Sequence, residues 1–468
     1  MTRDALLQAI IASGLPLPNR VKQINRIPIV ALSATMFFCA ARESRAQMSM
    51  APSPLGISMD RMGSGTSWIP DAVSLPSKHW MSGNWDYMLH GFAYGQYVSE
   101  LGPRGASQIG SLNWAMLMAS HELAGGRFQA RAMLSLDAAG IADGGYPLLL
   151  QSGETYRGRA LKDRQHPHDF FMELGVVYER QLSRSLGVSF YAAPSGEPAL
   201  GPVAFMHRPS AMDNPEAGIG HHWQDVTHTS FGVLTAGVFT RTLKLEASMF
   251  NGQEPHENRW NLDFHPMASY SARATFNPNA AWSFTGGFAF IKKPETTDIG
   301  HSMHRTAVSA QYGQAIGGGQ WATSLIWSAN THADESRSSN SYLAETEAVL
   351  DVHNTVFARA EHVQKSAEDL SLDKGPGAFD AERTFAVSRV SLGYIREVAS
   401  WRGATIGIGA MGNVAFVPTA LEQAYGSATP RGFTLFVRLR AMRPASHDMS
   451  HMSQMSHMTP PSSTGLTR

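Results

Sequence analysis

The sequence predicts an all-β fold: a closed antiparallel transmembrane β-barrel of about sixteen strands (roughly 14 to 18), with short periplasmic turns and long outer loops. Three observations carry it. From residue 85 onward apolar and polar residues alternate with period two, which puts one set on each face of a strand. The connections between these segments alternate between short and long. Only 16% of the 468 residues are charged, against about 25% in an average soluble protein, and no apolar run after residue 47 is long enough for a transmembrane helix.

The alternation is clean in several segments. Phe128, Ala130, Ala132, Leu134 and Leu136 alternate with Arg127, Gln129, Arg131, Met133 and Ser135. Phe170, Met172, Leu174, Val176 and Tyr178 alternate with a set that includes Glu173, Gly175 and Glu179. Leu243 to Met249, Tyr270 to Phe276 and Phe433 to Leu439 repeat the pattern. A soluble sandwich with one wet face would alternate in the same way, so the connections are the more specific signal. Short turns fall near 123–126, 181–186, 241–242, 277–281, 316–320, 351–354 and 399–402. Longer connections span 99–107, 138–168, 194–227, 252–266, 292–303, 331–341, 364–382 and 413–430. Seven short and eight long connections make sixteen strands, the even number of an outer-membrane barrel. Trp282, Trp321 and Trp401 are each expected to open a strand just after a short turn, at the depth of lipid headgroups.

The chain divides into an export signal at 1–46, an N-terminal periplasmic segment at 47–84, the barrel at 85–443 and a disordered Met/His-rich tail at 444–468. Arg20, Lys22 and Arg26 precede the apolar run Ile27 to Ala41, and Ser44-Arg45-Ala46 supplies small residues for cleavage. Cys39, the only cysteine, lies in that run, which excludes disulfide and thiol chemistry from the mature chain. With 38 basic and 38 acidic residues there is no net field to attract nucleic acid. If the polar faces point inward, the lumen carries Arg131, Glu173, Glu179, Glu246, Arg273, Glu345, Glu347, Arg359, Glu361, Arg389, Arg438 and Arg440. Mixed charge suits a wet channel and a salt-bridged plug alike.

Three constellations carry chemistry. In the tail, His447, Met449, His451, Met452, Met455, His457 and Met458 sit among small polar residues, with the methionines at every third position. Thioethers are soft ligands for Cu(I), and imidazole suits copper in either oxidation state, so a flexible segment of this kind can wrap a copper ion. Met48, Met50, Met59 and Met62 repeat the theme at the other end. The tail resembles the Met-rich segments of bacterial copper-resistance proteins, which implies copper as the bound ion. The second constellation lies in the two longest loops, with His166, His168 and Asp169 in one and His207, Asp213, His221, His222, Asp225 and His228 in or beside the other. Six of the nineteen histidines fall there, and His with Asp suits Cu(II), Zn or Ni. The third is His228-Thr229-Ser230, whose His-x-Ser spacing on one strand face resembles outer-membrane phospholipases and lipid A deacylases. Those enzymes usually continue with Asn-Gly, whereas Phe231 and Gly232 follow here.

The wider run from Gln165 to Phe250, including Gly196-Glu197-Pro198-Ala199-Leu200-Gly201-Pro202 and Phe205 to Asn214, resembles a bacterial outer-membrane β-barrel family associated with heavy-metal, chiefly copper, resistance. The resemblance extends from about Ser67 to Arg443 and implies a membrane barrel, but that family has no established activity to carry over. The leading expectation is a non-enzymatic, porin-like barrel in contact with outer-membrane lipid that handles copper. The alternatives are a general small-solute porin with an incidental tail, and a lipid hydrolase using His228 and Ser230. Sixteen strands is the number of trimeric porins, an analogy of fold that leaves homo-oligomer association open.

Overall fold

The computed structural model describes residues 53–294, 302–333 and 338–442. Expectations that fall on 1–52 and 443–468, the export signal and the Met/His tail among them, lie outside the described residues.

The strands are β1 (Ser77–Ser82), β2 (Trp85–Glu100), β3 (Ser107–Leu123), β4 (Gly126–Leu134), β5 (Tyr146–Tyr156), β6 (Arg159–Gln165), β7 (Phe171–Gln181), β8 (Gly187–Gly196), β9 (Ser230–Phe239) and β10 (Leu243–Phe250). They continue with β11 (Ser269–Asn279), β12 (Trp282–Ile291), β13 (Met303–Ile316), β14 (Gly319–His332), β15 (Ser338–Val349), β16 (Asn354–Ser366), β17 (Thr384–Trp401), β18 (Ala404–Phe416) and β19 (Arg431–Ala441). Sixteen of them, β2 to β4 and β7 to β19, pair antiparallel in chain order, and β19 returns to β2 to close the barrel. Closure leaves no sheet edge exposed in lipid. All seven short turns lie at one end and all eight long connections at the other, as the spacing predicts. β5 and β6 form a separate hairpin inside the β4–β7 connection.

Alternation sorts the side chains inside out relative to a soluble protein. On β10, Leu243, Leu245 and Met249 are exposed while Lys244, Glu246 and Ser248 are buried. Tyr270, Phe288, Val308, Leu325, Leu392, Ile408 and Leu435 belong to the same exposed apolar band, and the predicted lumen charges are buried. An apolar band around a closed barrel with a polar interior is the surface of a transmembrane barrel.

Four local expectations are corrected. Trp282 and Trp321 sit near the start of their strands as expected, but Trp401 ends β17 rather than opening β18. Met172, expected on the lipid side, points inward: Met133 pairs with Glu173 and Leu134 with Phe171, so Met172 is the extra residue of a bulge and is buried. Bulges re-aim side chains in this way. The 47–84 segment does not simply precede the barrel: β1 pairs with β2, and residues 53–76 pack against the inner wall. His228 lies in a 3-10 turn (Val226–His228) ahead of β9, so strand alternation does not align it with Ser230.

Strand β2 takes two partners on one edge. Ser77 to Ser82 of β1 pair with His90 to Trp85, and Gly432 to Arg440 of β19 pair with Glu100 to Phe92. Between them Gly91 has φ +143°, a conformation that favours glycine, and a Cβ there would lie 2.2 Å from the Trp114 carbonyl oxygen.

Candidate functional site in the lumen

Two segments fill the barrel. At the short-turn end, Lys244 Nζ donates to Thr66 O at 2.8 Å, Arg273 Nη2 to Thr66 Oγ1 at 2.9 Å, Asn277 Nδ2 to Ile69 O at 3.0 Å and Gln320 Nε2 to Ser74 O at 3.1 Å. Trp68, almost wholly buried, lies beneath Arg61 and Lys244. The second segment is the long β8–β9 loop, residues 197–229, nearly all of it buried. Its sequence has no period, so it forms only short turns, and the walls satisfy much of its polar backbone. Ala199 N donates to Ser248 at 2.7 Å, Asp213 N to Glu347 at 2.8 Å and Gly220 N to Glu361 at 3.2 Å. The two segments meet where Ala204 N donates to Ser64 Oγ at 2.8 Å.

Ion pairs lock this loop to the wall. Arg208 pairs with Glu345 of β15, which also accepts from Arg359 of β16 at 2.9 Å. Glu216 receives Arg389 of β17 at 2.6 Å, and Asp213 receives Arg440 of β19 at 2.7 Å and Arg438. The mixed charge predicted for the lumen is thus that of a salt-bridged plug. Above it, Leu149 and Leu150 of β5, Ile219 and Trp223 of the loop, and Leu421 and Tyr425 of the β18–β19 connection form an apolar core with Val363, Phe385 and Ala415 at the long-loop end. The short helix Thr419–Tyr425 is held there by Arg104, stacked on Tyr425 and bonded to Asp163 at 2.5 Å.

The loop histidines gather, and three of them have a carboxylate partner. His168 Nδ1 bonds Asp137 at 2.7 Å, His221 Nδ1 bonds Asp225 at 2.7 Å and His222 Nδ1 lies 3.2 Å from Glu254. His166 contacts His221, with ring centroids 6.4 Å apart, and Asp169 accepts from Arg259 at 3.2 Å. Among the described residues no three His, Cys, Asp or Glu side chains converge as a metal-ligand set. Burial lowers His221 below the usual imidazole value against the pull of Asp225, and pushes His228 down to about 3, so both rings are neutral at ordinary pH. His447, Met449, His451, Met452, Met455, His457 and Met458 lie outside the described residues.

His228 and Ser230 do not meet as base and nucleophile. His228 Nδ1 bonds Asp225 O at 2.7 Å, while Ser230 Oγ donates to Thr227 O at 3.1 Å. They line different cavities, His228 with Met133 and Met172, Ser230 with Glu254 and Arg305.

The sequence reading missed a second set of soft donors. On the inner face, His90 of β2, Met116 of β3, Met133 of β4 and Glu173 of β7 are register partners across four neighbouring strands. Met88 pairs with Met118 in the next row, and the bulge adds Met172. These methionines, with Met206 of the loop and Met411 of β18, belong to one buried cluster. His207 of the loop lies over the row, its ring 5.0 Å from His90 and 4.8 Å from Trp114. Both ring nitrogens of His90 and of His207 lack a hydrogen-bond partner, as does Trp114 Nε1. Period-two spacing already places Met116 and Met118 on one face, and Met133 falls in the inward set with Arg131; taking methionine as an apolar filler rather than a donor hid the row.

No protein-family model matches the chain, and no curated protein sequence matches it. Among solved structures it is similar to the anion-selective porin from Comamonas acidovorans, at 11% identity and TM-score 0.46 over 76% of this chain and 99% of that one. It is also similar to OmpT, an outer membrane protein of Vibrio cholerae, at 9% identity and TM-score 0.45 over 78% and 99%. Pseudomonas putida OprB overlaps at 12% identity and TM-score 0.45 over 76% and 94%. The barrel assignment rests on the closed register above rather than on these overlaps.

Proposed function

We propose that this chain is a porin-like barrel of a bacterial outer membrane, with its short turns and both termini in the periplasm, and that it handles copper. The observation that supports copper is the inner wall itself, where the thioethers of Met88, Met116, Met118, Met133 and Met172 gather with the imidazole of His90, beside Glu173, on β2, β3, β4 and β7. Thioether with imidazole is a donor set for Cu(I), and a poor one for Mg, Ca or Mn. The Met/His tail, His447 to Met458, belongs to the same reading as a periplasmic ligand carrier. A freely open small-solute porin is disfavoured by the buried 197–229 loop, which ion pairs hold inside the lumen. The hydrolase reading loses its basis with the separation of His228 from Ser230.

The test compares a bacterial host expressing the full chain with one expressing none, measuring copper and zinc content in fractionated cells. Localisation with the outer membrane and a changed copper content at unchanged zinc supports the reading. Equal copper content in both strains overturns the metal assignment.

A further inference from the structure

We propose that the cavity bounded by Met133, Met172, Met206, His207 and His228 is a binding site for a monovalent soft metal ion, Cu(I). The inference rests on the copper reading above and assigns it to one site in the barrel, independent of the tail.

Three observations converge on this cavity. Its wall brings together three thioethers from three elements: Met133 from β4, Met172 from the bulge in β7 and Met206 from the buried loop. Two imidazoles complete it, and His228 Nε2 and both nitrogens of His207 are buried without a hydrogen-bond partner. A buried polar atom left unpaired forfeits its hydration with no return, so such atoms in one cavity need a reason, and a bound ion supplies one.

The bulge is the second reason. A regular strand that keeps Glu173 inward would send Met172 to the lipid along with Leu174; one inserted residue turns it into the cavity instead. The third is the sign of the surroundings. Glu173 and Glu197 also line the cavity and are shared with Arg131 and Arg273, at 3.5 and 3.9 Å, leaving little net negative charge for a divalent ion but a suitable setting for a single positive one. Neutral soft donors with few anionic oxygens select Cu(I) over Zn(II) or Cu(II).

The experiment titrates the refolded full chain in detergent with Cu(I) under reducing conditions, in competition with a chromogenic Cu(I) chelator. Beside it stand the double variant Met133→Leu/Met206→Leu and the full chain lacking residues 446–468. Leucine conserves the volume of methionine, so the barrel is retained, which circular dichroism checks. The expected result is one equivalent of Cu(I) lost from the double variant and retained by the tail deletion, with X-ray absorption showing sulfur and nitrogen neighbours in that deletion. Equal Cu(I) binding by the double variant and the unaltered chain overturns the cavity site while leaving copper handling to the tail. No Cu(I) binding by the unaltered chain overturns both.

Discussion

The carboxylate of Asp213, in the middle of the buried loop, accepts from Arg440 Nη1 of β19 at 2.7 Å, and it also meets Arg438. The same two arginines reach Glu397 of β17, with Arg440 Nη2 at 3.0 Å. Four charged groups of two signs therefore sit almost dry between loop and wall. Removing one partner of such a buried set leaves uncompensated charge and costs about 3–5 kcal/mol.

Asp213→Asn is therefore expected to loosen the loop without opening the sheet, because the strand pairing of β19 with β18 and β2 does not depend on it. Single-channel recording in planar bilayers reads this directly: the unaltered chain is expected to stay closed and the variant to conduct. Two equally silent proteins would mean that the loop is held without this latch.

Acid acts on the same loop. His221 is buried against Asp225 and faces His166, His222 and His228, and burial holds its pKa below the ordinary value near 6.5. The unfolded or displaced loop then binds a proton that the seated loop does not, so seating is favoured above about pH 6.5 and weakens as pH falls below it. Asp225 pulls in the same direction at lower pH: His221 and Arg208 hold its carboxyl below its usual value against desolvation, and that stabilisation is lost on protonation. Each titrating group contributes up to about 1.4 kcal/mol per pH unit. Conductance is expected to rise between pH 7 and pH 4 and to reverse on neutralisation; a flat profile would remove His221 from the seal.

The barrel was legible in the sequence because its rules are local. Period two needs only the residues of one strand, and turns such as 241–242 or 351–354 carry their own polar chemistry. What fills the barrel was not legible, because its contacts are remote: Asp213 finds Arg440 some 227 positions away, and Ser64 meets Ala204 140 positions away. Nothing in the aperiodic run from Glu197 to Thr229 says whether it projects outward or folds in. The bulge at Met172 is invisible for another reason, since it is defined by the register with Met133 on the neighbouring strand.

Gly91→Ala tests how the barrel closes. The glycine stands where β2 passes from β1 to β19, at φ +143°, against the Trp114 carbonyl. A methyl group there strains the backbone by about 1–3 kcal/mol and pushes β2 from β3 at the seam. Refolding yield and the urea midpoint are expected to fall together, with a smaller effect from Gly95→Ala, where a Cβ meets nothing within 4 Å. Equal losses from the two substitutions would deny the seam its special role.

Ile408→Arg separates a membrane barrel from a soluble one. Ile408 faces outward near the middle of β18, 53% exposed and paired with outward Val437 of β19. In water an exposed isoleucine on a strand accepts arginine at little cost. In a bilayer the guanidinium must leave water or drag it inward, and at mid-depth this costs about 2–4 kcal/mol. Leu350, exposed in the turn between β15 and β16, supplies the control, because a charge there stays at the interface. Refolding into lipid vesicles is therefore expected to suffer from Ile408→Arg and hardly at all from Leu350→Arg, with the difference shrinking in detergent micelles that deform around the charge. Equal tolerance of both substitutions in vesicles would mean that the apolar band of Ile408, Val437 and Leu435 does not face lipid.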